Sequence, residues 1–175
     1  MNPNSFRRRI VAAAFLWPAY SFAQSCGKPT PRQTEGPFFK PQSPERNALV
    51  EGKAASLLVT GRVLGPDCKP VAHALLDFWH ADEKGEYDNQ GFGYRGHQFT
   101  DADGRYRLET IMPAEYPGRA RHLHVKVQRP GGRILTTQLY FPNNPTNERD
   151  GIFSPDLVMR MASRSAGTFD FLVAA

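Results

Sequence analysis

The sequence is poor in cysteine, in long apolar runs and in charge of one sign. It has two cysteines among 175 residues, Cys26 and Cys68, and their spacing matches no thiolate metal site. No apolar run reaches the length that spans a bilayer, so no stable membrane anchor is expected. Basic residues number 22 against 17 acidic, a net charge of +5, and three of the positives are Arg7, Arg8 and Arg9. Without those three the excess is only two charges, too little for a nucleic-acid footprint. Internal repeats, heptads and phosphate-cradling loops are also missing. What is there argues for a folded domain. Apolar residues make up 40% and aromatics 11%, which excludes disorder. Glycine and proline, at 15 each, mean frequent turns and favour short strands over long helices.

Residues 1–23 read as a signal peptide. The three arginines form the positive region, residues 10–19 the apolar region, and Ser21-Phe22-Ala23 a small-residue cleavage site. Phe6-Arg7-Arg8-Arg9-Ile10-Val11 also fits a twin-arginine pattern, a route that exports folded proteins. The expected location is therefore outside the cytoplasm, periplasmic or secreted. There an even cysteine count suggests a bridge between Cys26 and Cys68, with two free thiols as the alternative.

Residues 24–54, rich in proline, glutamine and charge, read as an extended arm. Residues 55–175 read as one all-β domain, a β-sandwich of short, mostly antiparallel strands with long loops. Strand-like runs fall at 56–64, 73–80, 105–110, 122–128, 134–141 and 168–173. Turn signals stand between several of them, among them Asp101-Ala102-Asp103-Gly104, which reads as a hairpin turn. Residues 81–98 read as a long loop, too aromatic for a plain linker. The one candidate helix is 155–163. His73 and His80 read as core or surface residues, and Trp79 reads as core.

The segment Arg119-Ala120-Arg121-His122-Leu123-His124 carries the chemistry. In a strand, alternate side chains share a face, so His122 and His124 point together from Cα atoms about 6.6 Å apart. Alone, the pair fits a metal site and a solvated strand face equally well. Two phenols are candidates to join it: Tyr116 in a loop bounded by proline and glycine, and Tyr87. Imidazoles with phenolates and no thiolate form a hard donor set that favours a trivalent ion, ferric iron, over zinc or Cu(I). A bound cation would keep a phenol ionised that burial alone would keep neutral.

These residues stand in an order that resembles the intradiol ring-cleavage dioxygenases, the group of protocatechuate 3,4-dioxygenase and catechol 1,2-dioxygenase. The matching pieces are Thr34-Glu35-Gly36-Pro37-Phe38-Phe39, Asp77-Phe78-Trp79-His80-Ala81-Asp82 leading to Gly85-Glu86-Tyr87, and Arg95-Gly96 with Thr100-Asp101-Ala102-Asp103-Gly104. Tyr116-Pro117-Gly118-Arg119, His122-Leu123-His124 and Thr137-Gln138-Leu139-Tyr140-Phe141-Pro142 follow. The resemblance covers about residues 30–142 and is closest to the exported single-domain branch. It implies one non-haem Fe(III) per chain, held by Tyr87, Tyr116, His122 and His124. It implies a catechol-type substrate opened by O2 to a cis,cis-muconate-type diacid. Tyr116 would leave the metal and take a catechol proton, Arg119 would stabilise negative charge on the ring, and Gln138 would support it. The helical region of catechol 1,2-dioxygenases has no counterpart here, so their dimer and lipid channel are not carried over; a homo-oligomer stays open. The gap between Tyr116 and His122 is shorter than in protocatechuate dioxygenase chains, and that loop bears on substrate choice. Tyr94, Arg95, Pro37 and Phe38 are candidate pocket residues. Two other readings remain: an exported metal-binding sandwich without turnover, and a non-catalytic adhesion or carbohydrate-binding module.

Overall fold

The structure, a computed structural model, describes residues 26–174. The signal peptide, its twin-arginine pattern and the first two residues of the arm lie outside the described residues. The described residues form ten strands: β1 (Ala48–Leu49), β2 (Leu57–Leu64), β3 (Leu75–Trp79), β4 (Arg95–Phe99), β5 (Arg105–Thr110), β6 (His122–Gln128), β7 (Leu135–Tyr140), β8 (Arg160–Ser163), β9 (Ala166–Thr168) and β10 (Phe171–Leu172). They build two sheets, one ordered β1-β5-β2-β9-β8 with β10 beside β2, the other β4-β3-β6-β7. The fold is the expected all-β sandwich.

Alternation makes the core. Val59 and Val63 of β2 and Leu108 of β5 face Leu76 and Phe78 of β3 and Leu123, Val125 and Val127 of β6, all buried in one cluster. The other face of β6 then carries His122, His124 and Lys126. Its register sets His124 beside Trp79 of β3 and Gln138 of β7, and His122 beside Tyr140. One outer sheet face thus gathers the imidazoles, the indole, the amide and a phenol.

The arm runs across this face. Gln33 N–H donates to the Thr136 carbonyl at 2.9 Å, Thr137 Oγ1 donates to the Pro31 carbonyl at 2.7 Å, and Gln138 Nε2 donates to the Thr34 carbonyl at 3.1 Å. Cys26 and Cys68 are joined as a disulfide with Cα atoms 4.9 Å apart, tying the arm to the turn after β2.

Three expectations are corrected. The loop assigned to 81–98 ends at 94, because β4 begins at Arg95 and pairs antiparallel with β3 from Trp79↔Arg95 to Leu75↔Phe99. Its inward positions are Gly96 and Gln98, so the apolar alternation that marks a strand is missing. The candidate helix at 155–163 is a single 3-10 turn, Pro155–Leu157, followed by β8. A nine-residue helix is marginal on its own, and here β9 and the Tyr140 carbonyl, which accepts from Met159 N–H at 2.9 Å, take the backbone instead. The strand placed at 168–173 is split into β9 and β10, with Phe169 and Asp170 crossing between them. The crossing needs Gly61: a Cβ there would sit 1.8 Å from the Phe169 carbonyl oxygen.

Candidate metal centre

His122 opens β6 with its ring buried, and its Nδ1 lies 2.6 Å from the Ala120 carbonyl. A carbonyl only accepts, so Nδ1 carries the proton and Nε2 presents a lone pair. That lone pair faces His124 Nε2 at 3.0 Å, and the Tyr87 hydroxyl lies 3.4 Å from the same His122 atom. The His124 ring is set by packing. It stacks on Trp79 at 4.7 Å and 6°, while its buried Nδ1 has no hydrogen-bond partner. A Cβ on Gly36 of the arm would touch its Cε1 at 3.5 Å.

Tyr87 is held by a loop wound on two aspartates. Asp82 Oδ1 accepts from the N–H of Lys84 and Glu86, and the Asp88 carboxylate accepts from those of Gln90, Gly91 and Gly93. Arg95 fastens this loop to the arm. Its Nε and Nη2 donate to the Asp88 carbonyl at 3.2 and 2.9 Å, and its Nη1 donates to the Phe38 carbonyl. Phe38 then stacks on Tyr87 at 4.3 Å and 10°. Tyr116 completes the group from the opposite loop, its ring edge-on to Tyr87 at 5.9 Å and to Phe38 at 5.2 Å.

The structure therefore brings Tyr87, Tyr116, His122 and His124 into one cluster. Arg119 lies alongside. Its Nε donates to both oxygens of Asp150 at 3.0 and 2.9 Å, and its Nη2 donates to Gln138 Oε1 at 2.7 Å. Of the other residues singled out, Trp79 is buried as read, but its face also backs His124. Arg95 is a buried clamp on carbonyls, Tyr94 lies beside buried His80 at 5.3 Å, and Pro37 is exposed. His73 stacks on Phe99 at 4.4 Å. Asp150 escaped sequence reasoning; nothing in its turn-rich surroundings marks it as a buried acid.

Burial sets the electrostatics. Desolvation pushes His122 down to about 4 and His124 well below the usual imidazole range, so both stay neutral near pH 7. Desolvation also raises the Tyr87 phenol, which stays protonated unless a cation lies against it. These donors fit a metal. With its proton on Nδ1, His124 turns its Nε2 lone pair on that of His122 at 3.0 Å, and a cation between the two nitrogens would turn that repulsion into ligation. Among the described residues no three His, Cys, Asp or Glu side chains gather to hold a metal; the further donors beside the imidazole pair are the phenols of Tyr87 and Tyr116. That donor chemistry suits ferric iron.

Comparisons with known proteins give the family. A family profile described as dioxygenase matches residues 34–173. Hydroxyquinol 1,2-dioxygenase of Rhizobium sp. (strain MTP-10005) is 34% identical over 146 residues, covering 67% of this chain and 50% of that protein. The protocatechuate 3,4-dioxygenase beta chain of Burkholderia cepacia is 35% identical over 128 residues, covering 62% and 54%. Among solved structures, the dioxygenase domain of a dioxygenase carbohydrate-binding protein fusion from the cellulolytic bacterium Streptomyces sp. SirexAA-E is 54% identical. Its TM-score is 0.80, with 85% of this chain and 99% of that chain covered. The fold and the site define a β-sandwich with a phenol- and imidazole-lined centre. The chain belongs to the intradiol dioxygenase family. It spans about half the length of the curated relatives it matches.

Proposed function

We propose that this chain is a ferric-iron-dependent intradiol dioxygenase that opens a catechol ring between its two hydroxyls with O2, giving a cis,cis-muconate-type diacid. The observation that carries the reading is the approach of the Tyr87 hydroxyl and His124 Nε2 to His122 Nε2, at 3.4 and 3.0 Å, with the Tyr116 ring beside Tyr87. Tyr87, Tyr116, His122 and His124 hold the metal. Bound there, ferric iron supplies the Lewis acidity that makes loss of both catechol protons accessible near neutral pH and opens the ring to O2.

The chain's own residues divide the remaining work. Tyr116 sits half-buried in a loop rather than on a strand, so it is the phenol free to swing aside and accept a substrate proton. Tyr87, clamped under Phe38 by the Asp88–Arg95 loop, and the two strand-borne imidazoles stay in place. Arg119 serves the ring as it gains negative charge through Nη1, the guanidinium nitrogen its protein contacts do not use, and Gln138 holds it by accepting from Nη2. Trp79 and Phe38 wall the site with aromatic faces that exclude water. Residues 1–23 direct export on this proposal, and the substrate partners are a small catechol and O2.

Oxygen uptake by iron-loaded protein over a panel of catechols, with product identification, tests the reading. The expected product carries two carboxylates from cleavage between the hydroxyls. A semialdehyde from cleavage beside them, or no uptake with full iron content, overturns it.

A further inference from the structure

Asp150 belongs to no strand and follows a 3-10 turn, Asn147–Arg149, yet its side chain is only 1% exposed. A carboxylate so enclosed must have its lone pairs filled. Both oxygens accept from Arg119 Nε, Oδ2 also accepts from Ala120 N–H at 3.0 Å, and Oδ1 accepts from Ile152 N–H at 3.1 Å. The neighbouring contact gives this its meaning. The Ala120 peptide that donates to Asp150 is flanked by the carbonyl that orients His122 through Nδ1 at 2.6 Å. One carboxylate therefore joins the guanidinium to the residue that aims an imidazole.

We propose that Asp150 is the positioning residue of this site: it fixes the guanidinium of Arg119 and ties it, through Ala120, to His122. The inference rests on the dioxygenase reading. Arg119 is a long side chain in a partly exposed loop, and unrestrained it would populate several rotamers. Pinned at Nε by Asp150 and at Nη2 by Gln138 Oε1 and the Tyr140 hydroxyl, at 2.7 and 3.3 Å, it keeps one orientation. The pairing also offsets its charge. What Arg119 offers an anionic ring is then the two N–H groups of Nη1, held in a fixed plane, rather than a bare positive charge. Loss of Asp150 strengthens the charge and loses the aim, so substrate binding holds while turnover falls.

The experiment uses the iron-loaded full chain with Asp150→Asn. Expected are wild-type iron content, anaerobic catechol binding at least as tight as wild type, and kcat lower by roughly a hundredfold. Adding Arg119→Ala to Asp150→Asn leaves kcat where Arg119→Ala alone puts it. A readout free of turnover is the 15Nε–H signal of Arg119 in gallium(III)-loaded protein, slowly exchanging in wild type and lost in Asp150→Asn. Should Asp150→Asn fail to fold, Arg119→Lys keeps the ion pair but cannot also reach Gln138, and the same split between binding and turnover is expected. Wild-type kcat in either variant, a kcat loss that only follows iron loss, or an unchanged Arg119 signal overturns the proposal. Wild-type protein that turns over no catechol, together with loss of the Arg119 signal in Asp150→Asn, defeats the dioxygenase reading and leaves the positioning by Asp150 standing.

Discussion

Gly85 passes so close to Glu115 that a Cβ on the glycine would lie 2.3 Å from the Glu115 carbonyl oxygen. Gly85 also has φ +84°, a conformation that other residues adopt only under strain. This contact is where the Tyr87 loop meets the Tyr116 loop. The Ala114 N–H, donating to the Asp82 carbonyl at 2.9 Å, fastens the same junction.

Gly85→Ala is therefore expected to push the two phenols apart. Both the clash and the positive φ act together, at a stability cost of about 1–3 kcal/mol. Iron retention and visible absorption should fall further than this loss of stability explains. Iron analysis beside a urea titration separates the two; wild-type colour in a folded Gly85→Ala protein contradicts the account.

Trp79→Leu removes the face on which His124 rests. A metal-binding histidine normally has its orientation set by a hydrogen bond from the distal nitrogen. His124 has none, so stacking alone sets the ring. The expected result is a loss of metal affinity of about 10-fold or more, the range for lost orienting partners. Competition with a chelator measures it.

His80 gives stability a pH dependence. Burial, the main cause, pushes it down to about 4, with its nitrogens 2.7 Å from the Ala81 carbonyl and from Thr110 Oγ1. The folded chain keeps His80 neutral while the unfolded chain takes up a proton below about pH 6.5. The His80 contribution is thus fully present above pH 6.5 and is lost as the pH falls toward 4, about 3 kcal/mol in all. Urea unfolding of metal-free protein should show a shallower pH dependence for His80→Gln than for wild type. Identical slopes would count against it.

The disulfide closes a separation of 42 residues. Chain entropy gives it a stabilisation of about 4 kcal/mol. The arm keeps its own anchors on β7 and on Leu172, where Thr30 both donates and accepts at 3.0 and 2.8 Å. The double variant Cys26→Ser, Cys68→Ser should therefore unfold at lower temperature but hold iron as wild type does. Iron loss in the folded variant would show that the bridge itself keeps the arm on the site.

The sequence made the imidazole pair legible because β6 repeats with period two and its inward residues are all apolar, which fixes the face of His122 and His124. β5 and β6 have the expected bounds for the same reason. β4 was hidden because Gly96 and Gln98 occupy its inward positions, and β8 because its short pairing with β9 depends on distant chain. Tyr87 and Tyr116 were recognisable as residues. Their approach depends on Gly85 meeting Glu115, a contact that no local pattern announces. Asp150 was hidden for a similar reason: a lone acid in a turn-rich run gives no sign of being enclosed, or of holding Arg119.

The most direct test of the central claim is the visible spectrum of iron-loaded protein before and after catechol is added. Phenolate bound to ferric iron absorbs in the visible, so the protein should be wine-red, its band should shift with catechol, and Tyr87→Phe should weaken it. A colourless protein with one iron per chain contradicts phenol ligation, and with it the proposed chemistry.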